Sequence, residues 1–131
     1  MNDSIKENNP FEDSRNFMKA IDNTTDSFNW DQLSLYVKLI DEEWNELHDA
    51  LEAQAEPDRV ETLDALVDLL VVTLGAIHSM GADSQGAWDE VMRTNFAKVD
   101  PATGKVRRRE DGKVLKPSDW TPPQLEKFLG N

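Results

Sequence analysis

The segment between Pro57 and Gly81 restricts most severely what this chain can fold into. Leu63, Leu66, Val67, Leu69, Leu70, Val71, Val72, Leu74 and Ile77 take up most of a helical circumference at about 100° per residue. A helix over Val60 to Met80 is therefore predicted, buried on several sides. Yet Glu61, Asp64 and Asp68 share an arc of about 60° on it. That arc does not stay polar, because Val72, Gly75 and Ser79 continue it. Like charges at i and i+4 repel, and an unpaired buried carboxylate is costly or takes up a proton. A cation shared between the acids resolves the conflict.

Further helices are expected around this one. Pro10 opens a short first helix through Phe11, Phe17, Met18 and Ile21, proline being suited to the first helical position. A polar loop from Asp22 to Asn29 follows, and Asp31 is placed to cap a second helix with Trp30 and Leu35 as its hydrophobic staple. Leu33, Tyr36, Val37, Ile40, Trp44, Leu47 and Leu51 give that helix an apolar stripe of period near 3.6, which Pro57 ends. Gly81 suits a helix C′ position, and Ser84 is placed to cap a fourth helix carrying Trp88, Val91, Met92 and Phe96, closed by Pro101. Residues 102–120 read as loop or short hairpin, and Thr121, Pro122 and Gln124 as N-cap, N1 and N3 of a last turn. The expected fold is an all-α bundle of four to five helices with a basic C-terminal loop or hairpin segment. Its core depends on an oligomer, since the third helix has more apolar circumference than short neighbours cover.

The second helix carries its own acids in Asp41-Glu42-Glu43-Trp44-Asn45-Glu46. Glu43 falls at the edge of the apolar stripe with Glu46 one turn on, whereas Glu42 and Asp49 point further toward solvent. A solvated acidic face explains such a run if the helix stands alone. Beside the third helix it is better explained as half of a hard-oxygen shell for Mg²⁺ or Mn²⁺, with waters and substrate phosphates as the other ligands. Pairing of these acids with Arg59 or Arg93 in a structural network is the metal-free alternative.

Charge and composition narrow the function classes. There is no cysteine, hence no disulfide framework and no thiolate metal site. The net charge of −12 disfavours nucleic acid as a partner. A local exception is the stretch holding Lys105, Arg107, Arg108, Arg109, Lys113 and Lys116. No window approaches the roughly 18 apolar residues of a membrane span, and MNDSIKENNPFEDS lacks the basic-then-apolar plan of a signal peptide. A soluble, cytoplasmic protein is expected. His48 and His78 lack companion ligands at metal-binding spacing and read as surface or core residues; Trp44 and Trp88 fall at core spacing.

Glu42-Glu43-Trp44-Asn45-Glu46 followed by Asp64-Ala65-Leu66-Val67-Asp68 resembles the all-α nucleotide pyrophosphohydrolases, the group of MazG and phosphoribosyl-ATP pyrophosphohydrolase. The first motif, E-E-x-x-E, matches unchanged, and Asn95, Lys98 and Gly112-Lys113-Val114-Leu115-Lys116-Pro117 look like the later part of MazG-like chains. The resemblance implies a Mg²⁺-dependent dimer or tetramer that cleaves nucleoside triphosphates between the α and β phosphates. Carried over by position, Glu42, Glu43, Glu46, Asp64 and Asp68 would be metal ligands, with Glu43 and Glu46 catalytic. Many members carry E-x-x-D in the second motif, where this chain has Ala65 three positions before Asp68. Either Asp64 and Asp68 act as an i, i+4 pair, or Glu61 and Asp64 form the literal motif one turn earlier; the first is preferred because Asp68 lies deeper in the apolar run.

Asn95, Lys98, Lys113 and Lys116 are the candidate substrate-binding residues. Lys98 can equally serve the helix dipole, and Arg107 to Arg109 can dock on the acidic body of their own or a neighbouring subunit. The expected organisation is a flexible terminus over residues 1–9, a MazG-like metal-binding domain over 10–100 and a basic tail over 101–131. The leading reading is a (d)NTP pyrophosphohydrolase of nucleotide pools, with dGTP/GTP or dUTP/dCTP as candidate substrates. A non-catalytic helical interaction module and a phosphoribosyl-ATP pyrophosphohydrolase are the alternatives.

Overall fold

The computed structural model describes residues 9–52 and 56–130. The flexible terminus expected over residues 1–9 lies, apart from Asn9, outside the described residues. Among the described residues four α-helices dominate: α1 (Pro10–Ala20), α2 (Trp30–Glu52), α3 (Arg59–Ser79) and α4 (Ser84–Phe96). Strands β1 (Val99–Asp100) and β2 (Lys105–Val106) pair antiparallel, Val99 opposite Val106, and a 3₁₀ turn spans Glu126–Phe128. Among the described residues no helix is long and apolar enough to cross a membrane. The chain divides into two units, one holding α1 to α3, Ser84 and the closing residues Leu129 and Gly130, the other running from Gln85 to Phe128.

Local chemistry sets the helix ends. Asn9 caps α1 by accepting the Glu12 N–H at 2.9 Å, and Asp58 caps α3 by accepting the Glu61 N–H at 3.0 Å. α2 is capped two residues earlier than expected, by Asn29, whose Oδ1 accepts the Gln32 N–H at 3.0 Å. Asp31 is therefore a first-turn acid and not the cap. Gly81 takes the left-handed conformation after α3, with φ 67°, which glycine adopts without a Cβ penalty. Ser84 is the first residue of α4, and its hydroxyl lies 2.7 Å from His78 Nε2. The last turn forms later than Thr121-Pro122 suggests; the Gln124 N–H instead bonds Glu90 Oε2 at 2.8 Å.

In the first unit α2 and α3 pack antiparallel, Gln32 meeting Ser79, Tyr36 meeting Gly75, and Ala50 meeting Asp58. Gly75 leaves room for the Tyr36 ring: a Cβ there would run into it. Gln32 Nε2 donates to Thr24 O at 2.7 Å and Ser79 Oγ at 2.9 Å, while its Oε1 accepts the Thr24 N–H at 2.9 Å. A buried polar network that is satisfied in this way pins the register of two helices. α1 packs on the C-terminal half of α3 through Met18, and Ser14 Oγ lies 3.1 Å from His78 Nδ1.

The buried arc of α2 is narrower than its apolar stripe. Tyr36, Leu47, Ala50 and Gln32 are buried, but Val37, Trp44 and Leu51 are exposed. Trp44, expected in the core, is 52% exposed with its ring edge-on to His48, and Trp88 of α4 is 53% exposed. Tyr36, Glu43, Leu47 and Ala50 share the arc of α2 that faces α3, and Trp44 lies about 100° round the helix from Glu43, outside it. α3 likewise leaves Leu63, Leu66 and Leu70 exposed in the protomer.

In the second unit β1 and β2 open a hairpin region, with a further bridge between Arg108 and Val114. Its arginines fold back locally: Arg109 pairs with Asp111, Arg107 Nε lies 3.7 Å from Asp100, and Arg108 Nη1 donates to Gly112 O at 2.8 Å.

Candidate functional site

The antiparallel register of α2 and α3 brings Glu43 opposite Asp68, and Glu46 follows Glu43 by one turn on the same face of α2. Glu43, Glu46 and Asp68 each offer an oxygen within 4.8 Å of the others, Glu43 and Asp68 half-buried and Glu46 exposed. Glu43 Oε2 is buried and has no hydrogen-bond partner. Both carboxylates of the Glu43–Glu46 contact are acceptors when ionised, so neither can satisfy the other.

Burial pushes the Glu43 carboxyl up to about 6, reinforced by contact with Glu46 and by the charges of Glu46, Asp68 and Asp64. Asp68 is raised as well, by burial first and then by Asp64 and Glu46. The charges acting on both are those of other carboxylates, a cluster that mutual repulsion destabilises unless a cation enters. Arg93, considered from the sequence as a counter-ion, pairs instead with Glu90 at 2.8 Å. The donor set is all oxygen and one member carries a buried oxygen with no partner, features a hard divalent cation accepts. The residues present fit Mg²⁺ or Mn²⁺.

Of the other acids expected to be ligands, Asp64 is exposed one turn before Asp68 and lines an open cleft of about 500 Å³ with Glu46, Asp49, Asp58 and Glu61. Ala50 and Ala65 form the floor of this cleft, both buried. Glu42 is exposed and turned about 100° from Glu43 on α2, outside the trio. Asp58 was not singled out from the sequence. Its signal was the D-x-x-E spacing of Asp58 and Glu61 ahead of an apolar run, a helix-start pattern.

The candidate substrate-binding residues lie in the second unit. Lys98 Nζ donates to Asn95 Oδ1 at 3.4 Å, and Lys98 and Lys116 stand over the Trp120 ring at 5.4 and 4.3 Å from its centre. Trp120 Nε1 donates to Thr94 O at 2.7 Å. Lys113 is exposed, and its N–H bonds Asp111 Oδ1 at 3.1 Å. His78 is fully buried between two serines, a core residue, and His48 packs on Trp44.

The family model described as phosphoribosyl-ATP pyrophosphohydrolase matches residues 14–95, well over half of the chain. The match spans most of α1, all of α2 and α3, and α4 as far as Asn95, and so includes the acid trio. No curated protein matches the chain.

Proposed function

The chain belongs to the phosphoribosyl-ATP pyrophosphohydrolase family, and from that premise we propose that it hydrolyses nucleoside triphosphates to the monophosphate and pyrophosphate with Mg²⁺. The observation that carries this reading is the orphaned Glu43 Oε2 within an all-carboxylate trio drawn from two helices. Glu43, Glu46 and Asp68 would hold the cation, with Asp64 and Glu42 adding negative field at the edges. When bound, Mg²⁺ or Mn²⁺ neutralises phosphate charge and favours in-line displacement. Water attacks the α-phosphorus, the bond to the bridging oxygen breaks, and pyrophosphate leaves. The coupled carboxylates of Glu43 and Glu46 take up the proton that the attacking water releases.

Asn95, Lys98, Lys113 and Lys116 are assigned to the substrate's phosphates and ribose, a role that suits Lys113 and Lys116 in particular as part of the basic stretch of an acidic chain. The protein acts as a homodimer or homotetramer, an assignment supported by Leu63, Leu66 and Leu70, which lie exposed along one side of α3. As in the sequence reading, residues 10–100 are taken as the metal-binding domain and 101–131 as the basic tail.

The family match favours phosphoribosyl-ATP as a second substrate candidate. Product analysis of the common NTPs and dNTPs and of phosphoribosyl-ATP, with and without Mg²⁺, separates the readings. Monophosphate and pyrophosphate from an NTP or dNTP, lost in a folded Glu43→Gln variant, support the leading one. Cleavage of phosphoribosyl-ATP alone transfers the assignment to the second. No cleavage of any nucleotide by the folded protein leaves a non-catalytic helical module.

A further inference from the structure

In the second unit the cations are held in two different ways. Arg93 pairs with Glu90, Arg107 with Asp100 and Arg109 with Asp111, so that a carboxylate offsets each charge. Lys98 and Lys116 meet a ring instead. Their ammonium groups stand 5.4 and 4.3 Å from the centre of one indole, that of Trp120, and among the described residues neither is in an ion pair. An aromatic face attracts an ammonium through its quadrupole but carries no charge to cancel it. The ring fixes where the charge sits and leaves that charge available to an anion.

The indole is itself fixed. Thr94, 2% exposed, lies in the last turn of α4, where carbonyls lack intrahelical partners. The Lys98 N–H, four residues on, bonds Asn95 O at 3.2 Å instead, and Trp120 Nε1 donates to Thr94 O at 2.7 Å. The Trp120 N–H closes a turn on Pro117 O at 3.1 Å, directly after Lys116. One ring thus ties the end of α4 to the segment 116–120 and gathers a lysine from each. Lys98, Lys116 and Trp120 all lie beyond residue 95, where the family match ends.

We infer that Trp120 is a positioning residue, holding the Lys98 and Lys116 ammonium groups in place for the substrate's phosphates; the inference rests on the proposed assignment of both lysines to that role. Two ammonium groups around one ring repel each other, and an anion with several charged oxygens relieves the repulsion. A polyphosphate is such an anion. Lysine side chains are flexible, and ordering each one on binding costs affinity that prior immobilisation saves. Because the phosphates are present before and during the reaction, the saving appears in KM and not in kcat.

A double-mutant cycle tests this. Trp120→Leu, which removes the ring, is made in the wild type and in a Lys98→Met/Lys116→Met background, and KM and kcat are measured with the preferred nucleotide. In the wild type it should raise KM about tenfold with kcat nearly unchanged; in the lysine-free background it should add almost nothing, because the ring acts through the lysines. Trp120→Phe keeps an aromatic face and loses the bond to Thr94, so its KM should fall between. An equal rise in both backgrounds marks a merely structural residue and overturns the inference, as does an unchanged KM, a loss confined to kcat, or a Phe variant no better than Leu. If the wild type cleaves no nucleotide, the parent reading fails on its own, and calorimetry with inorganic tripolyphosphate still reads the lysine pair. Tripolyphosphate binding weakened alike by Trp120→Leu and by the double lysine substitution upholds the positioning role; binding that is absent, or indifferent to Trp120, overturns it.

Discussion

Acidification should unfold this protein through His78. The imidazole is 0% exposed, with Ser14 Oγ at 3.1 Å from Nδ1 and Ser84 Oγ at 2.7 Å from Nε2. Burial, then the nearby charge of Arg15, lowers its pKa to about 4. In the unfolded chain the pKa returns to about 6.5. Between the two values the unfolded state binds more protons than the native one, so stability falls as pH falls through that window and levels off below it. The gap between the two values corresponds to about 3 kcal/mol, a large share of the roughly 5–15 kcal/mol that holds a domain together. Urea unfolding from about pH 7.5 to pH 4, comparing wild type with His78→Gln, isolates the effect. Gln is neutral throughout and can still bond a serine. The wild type should lose about 3 kcal/mol relative to the variant across the window, over and above any carboxylate titration that both share. Parallel profiles, or an NMR titration that places the native His78 near its ordinary value, would refute the reasoning.

Packing and charge elsewhere in the molecule have consequences of the same kind. Gly75→Ala drives a Cβ into the Tyr36 ring and should cost about 1–3 kcal/mol, read as a lower urea midpoint with unchanged m-value. Glu43→Gln removes a carboxylate that its neighbours disfavour, so without divalent cation the variant should melt above wild type, while calorimetry shows weakened Mg²⁺ binding; a lower melting temperature would count against the electrostatic account. Mg²⁺ at a hundred times its Kd should stabilise the wild type by about 2.7 kcal/mol, and a flat thermal response would count against a native-state metal site. Leu66→Lys, on the exposed side of α3, should reduce the particle mass in light scattering without unfolding the protomer, and an unchanged mass would remove that surface from the assembly.

Much of this architecture was legible in the chain because local chemistry decides it. Pro10, Pro57, Gly81 and Pro101 bracket helices whose apolar periodicity is unambiguous, and the three acids on α3 interrupt a segment that otherwise demands burial. What periodicity gives is each residue's angle about its own helix axis; it does not say which arc a neighbour covers. Trp44 sits at core spacing yet is exposed, because α3 covers the arc holding Tyr36, Glu43, Leu47 and Ala50, and Trp44 lies about 100° round the helix from Glu43. Ser84 looks like a cap from its sequence position, but its hydroxyl meets a histidine that only tertiary packing delivers. The same holds for the site. The chain alone nominated Glu42, Glu43, Glu46, Asp64 and Asp68 and left the second motif open between Glu61 and Asp68. The Tyr36–Gly75 and Gln32–Ser79 contacts set the register that puts Asp68 beside Glu43 and Glu46, because convergence of side chains from two helices depends on their relative translation, which no single helix encodes.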